Sequence, residues 1–301
     1  MGWKNVLFVL ITIGLVFSIL AYLFFPFFPV DFNFDANSNF STTSDTSMQF
    51  YPNMRFSTDE VSFTIHDSCN LEKEGEMKEA FHIIENLTPI NFYELSDLGD
   101  IDVFCEEKNK LGDDGLFIAG EGGPVNVTTG SNFNVISKGE IILIRNSDCE
   151  RPNIALHELL HVLGFDHSNN TNNIMYPVSK CKQTIGDDIV NKLNELYSIE
   201  PLSDLEFKSA NAIMKGRALD LNFTIKNEGL IDSQDYVVNV YADGKEIKSF
   251  SSERLKVGYG QSVEFTNILV SQITIKEIKI VAEGNFNELD KSNNKVVLKI
   301  K

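Results

Sequence analysis

Proline and glycine are scarce in this chain, 8 and 19 of 301 residues, which excludes a collagen-like repeat or a chain that is disordered over most of its length. Basic residues are outnumbered 26 to 43 by acidic ones, and a net charge of −17 repels phosphate backbones. Nucleic acid is excluded as a partner on that ground. There are four cysteines and no CxxC pair, so neither a zinc ribbon nor a thioredoxin-like redox site can be built. Histidine is limited to five residues, three of them within eleven positions. What is present is a hydrophobic fraction of 43%, enough for a packed core, in a chain about twice the length of a typical domain. The acidic excess is uneven. Residues 203–301 hold 14 charges of each sign, so the whole net of −17 falls in residues 1–202, and the two parts read as domains of different kinds.

Val6 to Phe28 carries no charge, and a helix over that segment is long enough to cross the roughly 30 Å hydrocarbon core of a bilayer. The sequence therefore predicts a transmembrane signal-anchor within residues 1–30. Lys4 precedes it and Asp31 and Asp35 follow, which keeps the N-terminus cytoplasmic and puts the rest outside. A cleaved signal peptide, giving a secreted form, is the alternative, with Ile19-Leu20-Ala21 as its cleavage site. Residues 31–54, rich in Ser, Thr, Asn and Asp, read as a flexible stalk. In an oxidising compartment Cys69, Cys105, Cys149 and Cys181 are expected to form disulfides, in one of three pairings. Asn39, Asn86, Asn126, Asn169 and Asn222 open N-x-[ST] sequons at which glycosylation could occur.

Residues 157–167 carry the chemistry: His157-Glu158-Leu159-Leu160-His161-Val162-Leu163-Gly164-Phe165-Asp166-His167, or HExxHxxGxxH. Positions i and i+4 of a helix share one face, so His157 and His161 can present ring nitrogens to one ion. Gly164 can take the left-handed conformation that ends a helix and returns the chain, bringing His167 in as a third ligand. Three imidazoles suit Zn²⁺ and leave a fourth position for water, with Glu158 next to the first ligand as the general base. Apolar residues on the remaining faces, Ala155, Leu156, Leu159, Leu160, Val162 and Leu163, predict a buried helix. His66 and His82 read as ordinary structural or surface histidines.

With Asn173-Ile174-Met175-Tyr176-Pro177 following, the segment resembles the metzincin metallopeptidases, and Ser168 after the third histidine together with Met175-Tyr176-Pro177 is similar to the matrixin group. The resemblance implies an α+β catalytic domain, a twisted mixed sheet with three helices, over about residues 55–200. It implies that Met175 lies beneath the metal and that Pro177, Val178 and Ser179 begin one wall of a substrate pocket. Tyr176 could donate a hydrogen bond, although it stands one place from where astacins carry their tyrosine. The resemblance also makes Leu116 to Gly120 an edge strand on which an extended protein or peptide substrate would lie. The PRCGxPD propeptide of matrixins has no counterpart. Strand patterns at Val61–Asp67, Asn91–Glu94, Ile101–Cys105, Leu116–Ala119 and Glu140–Arg145, a helical stripe from Met77 to Leu87, and a last helix around Ile189, Leu193 and Leu196 agree with that order. Asp113 and Asp114 could bind Ca²⁺ as an additional ion.

Beyond Pro201 short alternating runs predict an immunoglobulin-like β-sandwich over residues 201–301. Leu219 to Asn227 and the run from Asn285 to Asn294 resemble the CARDB-type module of prokaryotic surface proteins, which implies a spacer with surface-protein or glycan contacts as the alternative. The expected function is a membrane-anchored, outward-facing zinc endopeptidase. Its rivals are a surface adhesion protein with a vestigial peptidase domain and a zinc amidase acting on a cell-wall polymer.

Overall fold

The computed structural model describes residues 12–16, 30–34, 48–107, 110–112, 115, 117–146, 149–272 and 274–300. The chain divides into two compact units. One comprises Phe40–Ser203 with Glu228–Ile231; the other comprises Asp204–Asn227 and Asp232–Lys301 with Met1–Asn39, of which strand β1 (Val30–Phe34) is described.

The first unit follows the order β2 (Met54–Phe56), β3 (Glu60–Ile65), α1 (Leu71–Leu87), β4 (Asn91–Glu94), β5 (Ile101–Cys105), β6 (Lys110–Leu111), β7 (Phe117–Ile118), β8 (Gly120–Thr129), β9 (Asn134–Leu143), α2 (Asn153–Val162) and α3 (Asp187–Tyr197). Its sheet is mixed. Parallel pairs join β4 to β3, β3 to β5, β5 to β9 and β2 to β9, and β8 lies antiparallel along β9. Helix α1 starts where the Asn70 side chain accepts from Lys73 N at 3.0 Å, with Glu72 and Glu74 in the first turn favouring the positive helix end. Met77, Ala80, Phe81 and Ile84 recur at helical spacing and are buried, and the Phe81 ring stacks on Phe63 at 4.2 Å. Each such large apolar side chain contributes roughly 1.5–3 kcal/mol through burial. The ammonium of Lys73 is buried and satisfied by the carbonyls of Glu106 (2.8 Å) and Ile144 (3.1 Å), just beyond the ends of β5 and β9. Every residue of α2 is buried, as its apolar composition predicts.

The cysteines pair in sequence order. Cys69–Cys105 ties the loop before α1 to the end of β5, and Cys149–Cys181 ties the segment before α2 to the loop after Met175. Two disulfides mark a protein of an oxidising, extracytoplasmic compartment.

In the second unit β10 (Leu205–Lys215), β11 (Ala218–Asn227), β12 (Tyr236–Ala242), β13 (Lys245–Ser252), β14 (Gly260–Leu269), β15 (Glu277–Glu283) and β16 (Lys295–Ile300) form antiparallel ladders in the order β13-β12-β15-β16-β1-β10-β11-β14. Alternate residues of β12 are buried, placing Tyr236, Val238 and Val240 in a core with Phe223, Ile280 and Leu298. Asp243 and Gly244 both have positive φ, 45° and 80°, as a two-residue hairpin between β12 and β13 requires.

One expectation needs correction. Residues 31–54 do not form a continuous stalk. Val30–Phe34 is a strand, with Phe32 opposite Ala212 of β10 and Ile300 of β16, and Gln49 bridges to Phe165 within the first unit. The alternation Val30-Asp31-Phe32-Asn33-Phe34 is a strand pattern that the polar composition of its surroundings obscures. No helix among the described residues is long and apolar enough to cross a membrane. Of the expected anchor Val6–Phe28 only residues 12–16 are described, as helix, and the rest lies outside the described residues, as do Asp113 and Asp114.

Candidate metal centre

Helix α2 places His157 and His161 one turn apart, both buried. After Leu163 the chain turns at Gly164, whose φ of 96° strains any side-chain-bearing residue, and where a Cβ would also meet the Met54 side chain at 2.6 Å. The turn brings His167 back to the helix. His161 Nε2 then stands 3.1 Å from His157 Nε2 and 3.2 Å from His167 Nε2.

The hydrogen bonds behind the rings fix their tautomers. His157 Nδ1 faces the carbonyl of Ile174 and His161 Nδ1 that of Phe165, each at 2.7 Å, and a carbonyl only accepts. Both Nδ1 atoms therefore carry the hydrogen and both Nε2 lone pairs point into the cluster, where bare acceptors so close together repel unless a cation lies among them. Burial lowers the pKa of both rings: His161 to about 4, with the charge of His157 adding to the effect, and His157 against the opposing pull of the Ile174 carbonyl. Neutral, lone-pair-inward imidazoles suit a metal ion rather than an ion-pair network. Among the described residues this is the only group of three or more His, Cys, Asp or Glu side chains placed to hold a metal ion.

Glu158 is buried beside them, and its pKa is pushed up to about 8, by burial first and by the charge of Glu121 second. The antiparallel strand β8 comes very close. A Cβ on Gly120 would lie 2.8 Å from Glu158 Oε1 and one on Gly122 2.4 Å from the Glu158 carbonyl oxygen, so glycine at both positions lets β8 pass against the histidine helix. Glu121 between them is paired with Lys110 at 2.5 Å.

These residues open into a cavity of about 1010 Å³, lined by the three histidines and Glu158, by residues 117–122, by residues 177–181, and by Arg145 and Cys149. Pro177 and Val178 are exposed on its wall, whereas Tyr176 is half-buried and does not line it. Met175 is buried, its amide held by Asn173 Oδ1 at 2.9 Å and its carbonyl by Ser168 N at 2.8 Å. His66 stacks on Phe104 at 4.0 Å and His82 lies on the surface of α1, both away from the cavity.

A family model described as matrixin, a peptidase family, matches residues 17–198, more than half of the chain. The chain belongs to the matrixin family. A CARDB family model matches residues 202–297, so the matrixin domain is followed by a CARDB β-sandwich. That sandwich is similar to the solution structure of a cell-surface protein domain from Methanosarcina acetivorans, 21% identical, covering 33% of this chain and 92% of that one, with a TM-score of 0.28. It is also similar to a CARDB domain from Pyrococcus furiosus solved in complex with di-metal ions, 16% identical, covering 33% and 88%, with a TM-score of 0.27. No curated protein matches the chain. Membership in the matrixin family points to a zinc metallopeptidase, and the three-histidine cluster is placed so that it could hold such an ion.

Several residues of the matrixin site escape a reading of the sequence. Within Leu116–Gly120, expected as the edge strand, lies only the two-residue β7, and the longer strand β8 from Gly120 to Thr129 was not expected, because Gly120-Glu121-Gly122-Gly123-Pro124 shows no apolar alternation to mark it. Phe50, whose ring stacks on His161 at 5.7 Å, gives no signal at all from a segment read as stalk. Arg145 and Lys180 carry none either.

Proposed function

We propose that this matrixin is a zinc-dependent endopeptidase acting outside the cell, tethered to the membrane through residues 6–28. The observation that carries the reading is that three inward-facing histidine nitrogens and one buried carboxyl line a single open cavity beside a sheet edge. His157, His161 and His167 would hold the zinc, which when bound supplies Lewis acidity toward water and the substrate carbonyl and draws the Glu158 pKa down from its buried value.

The chain's own residues supply the rest. No strand pairs with the outer edge of β8 among the described residues, so an extended peptide can add there antiparallel and lie across the cavity. Glu158 accepts the proton of the attacking water and passes it to the leaving nitrogen, a role that requires the charged carboxylate at the start and the protonated one at the end. The carbonyls of Ile174 and Phe165 keep two rings in the ligating tautomer, and the buried Met175 follows Ile174 in the chain. Pro177 and Val178 form the wall beside the substrate chain. The CARDB sandwich serves as a spacer.

The test is peptide cleavage by the full chain. Hydrolysis of a mixed peptide library should stop with a chelator and return with added zinc, while hydrolysis that persists in the metal-free protein would contradict the reading.

A further inference from the structure

Arg145 and Lys180 are anomalous cations in a region, residues 1–202, whose net charge is −17. Both line the cavity, both are exposed, and neither has a carboxylate partner among the described residues. The carboxylates that line the cavity among the described residues are otherwise engaged: Glu158 is buried beside the histidines, and Glu121 holds Lys110. Aromatic rings support the two cations without neutralising them. The Arg145 guanidinium lies 4.7 Å over the Phe117 ring and the Lys180 ammonium 5.8 Å over that of Tyr176.

Their backbones are fixed. Arg145 N donates to Ala119 O at 2.9 Å, Lys180 N donates to Gln183 Oε1 at 2.7 Å, and Lys180 O accepts from Asn153 Nδ2 at 2.8 Å. The Cys149–Cys181 disulfide, with a Cα–Cα distance of 5.0 Å, joins the two segments that carry them. Two cations that line one cavity without a carboxylate partner among the described residues attract an anion rather than merely solubilise a surface that is already strongly charged.

Chain direction says where that anion sits. Residues 117–119 precede β8, so a substrate running antiparallel to β8 points its C-terminal half toward them, and Arg145 packs against Phe117 and Ala119. Resting on the peptidase reading above, we infer that Arg145 and Lys180 select substrates with an aspartate or glutamate within the first three residues after the scissile bond.

The experiment is cleavage of a mixed peptide library by the zinc-loaded full chain, with the cut sites read by mass spectrometry. Asp and Glu should exceed Lys and Arg at those positions by about fivefold, the scale of exposed ion pairs, and the preference should fade at high salt. The Arg145→Glu/Lys180→Glu variant should invert the ratio and Arg145→Gln/Lys180→Gln should flatten it. Cleavage without acidic enrichment, or an enrichment unchanged in both double variants, would overturn the inference and leave the peptidase reading intact. No cleavage of any peptide by the zinc-loaded chain would overturn the peptidase reading and this inference together.

Discussion

Glu158 and Asp204 are both buried carboxyls, and their surroundings give them different work. The Glu158 carboxyl has no hydrogen-bonding cradle among the described residues; it projects from the histidine helix against Gly120 of β8, which leaves its oxygens for chemistry. Asp204, fully buried in the CARDB unit, is knitted into structure. Its Oδ1 accepts from Asn293 Nδ2 at 3.0 Å, its amide donates to Asn227 Oδ1 at 3.0 Å, and nearby Glu288 accepts from Leu205 N at 2.8 Å and Asn294 Nδ2 at 2.7 Å. Burial raises the Asp204 pKa to about 7, with the charges of Glu206 and Glu288 adding to it and the Asn293 bond opposing it. The unfolded chain releases this proton near pH 4, so between about pH 4 and 7 the folded state holds a proton that the unfolded state has lost, and stability falls as pH rises, by at most about 1.4 kcal/mol per pH unit. Urea unfolding of the CARDB unit in the full chain should give lower stability at pH 8 than at pH 5, and Asp204→Asn should remove much of that difference. An identical pH dependence in the variant would show that Asp204 is not its source.

Strand β8 and helix α2 explain why the site needs an element that leaves so little trace in the sequence. The histidine helix announces itself through spacing and through Gly164, and its buried length follows from Ala155, Leu156, Leu159 and Leu160. Asn91–Glu94 and Ile101–Cys105 fall where their β-rich runs lie. Strand β8 has glycines and a proline where alternation would be, because its job is close approach rather than core packing, and the Cβ contacts that make Gly120 and Gly122 obligatory come from a helix some 35 residues downstream. Long-range sterics of that kind leave no local pattern. Gly122→Ala should push β8 off the Glu158 backbone, at a cost of about 1–3 kcal/mol in the matrixin unit and a loss of turnover. Unchanged melting and unchanged turnover in Gly122→Ala would mean that the contact is not tight.

The two units are not simply consecutive along the chain. β1 precedes the compact unit that begins at Phe40 yet completes a ladder between β10 and β16 of the CARDB unit, so the polypeptide enters the sandwich, leaves it to build the first unit, and returns. Composition foretold two domains of different charge, and the Asp243-Gly244 hairpin and the runs at Tyr236–Ala242 and Glu277–Glu283 foretold the sandwich. The strand at Val30–Phe34 pairs with residues some 180 to 270 positions away, which no local signal can encode. Phe32→Pro, which removes an amide and restricts φ between the two ladders, should cost the sandwich about 1–3 kcal/mol and speed hydrogen exchange in β10 and β16 while leaving the matrixin unit unchanged. Equal exchange in variant and wild type would remove β1 from the sandwich.

The central claim concerns one carboxyl and is tested most directly by Glu158→Gln in the full chain, measuring bound zinc and peptide turnover on the same preparation. Stoichiometric zinc is expected with turnover reduced by about 10²–10⁴-fold, the loss that follows when a general base is removed from an otherwise intact site. Turnover equal to wild type with zinc in place would contradict that claim.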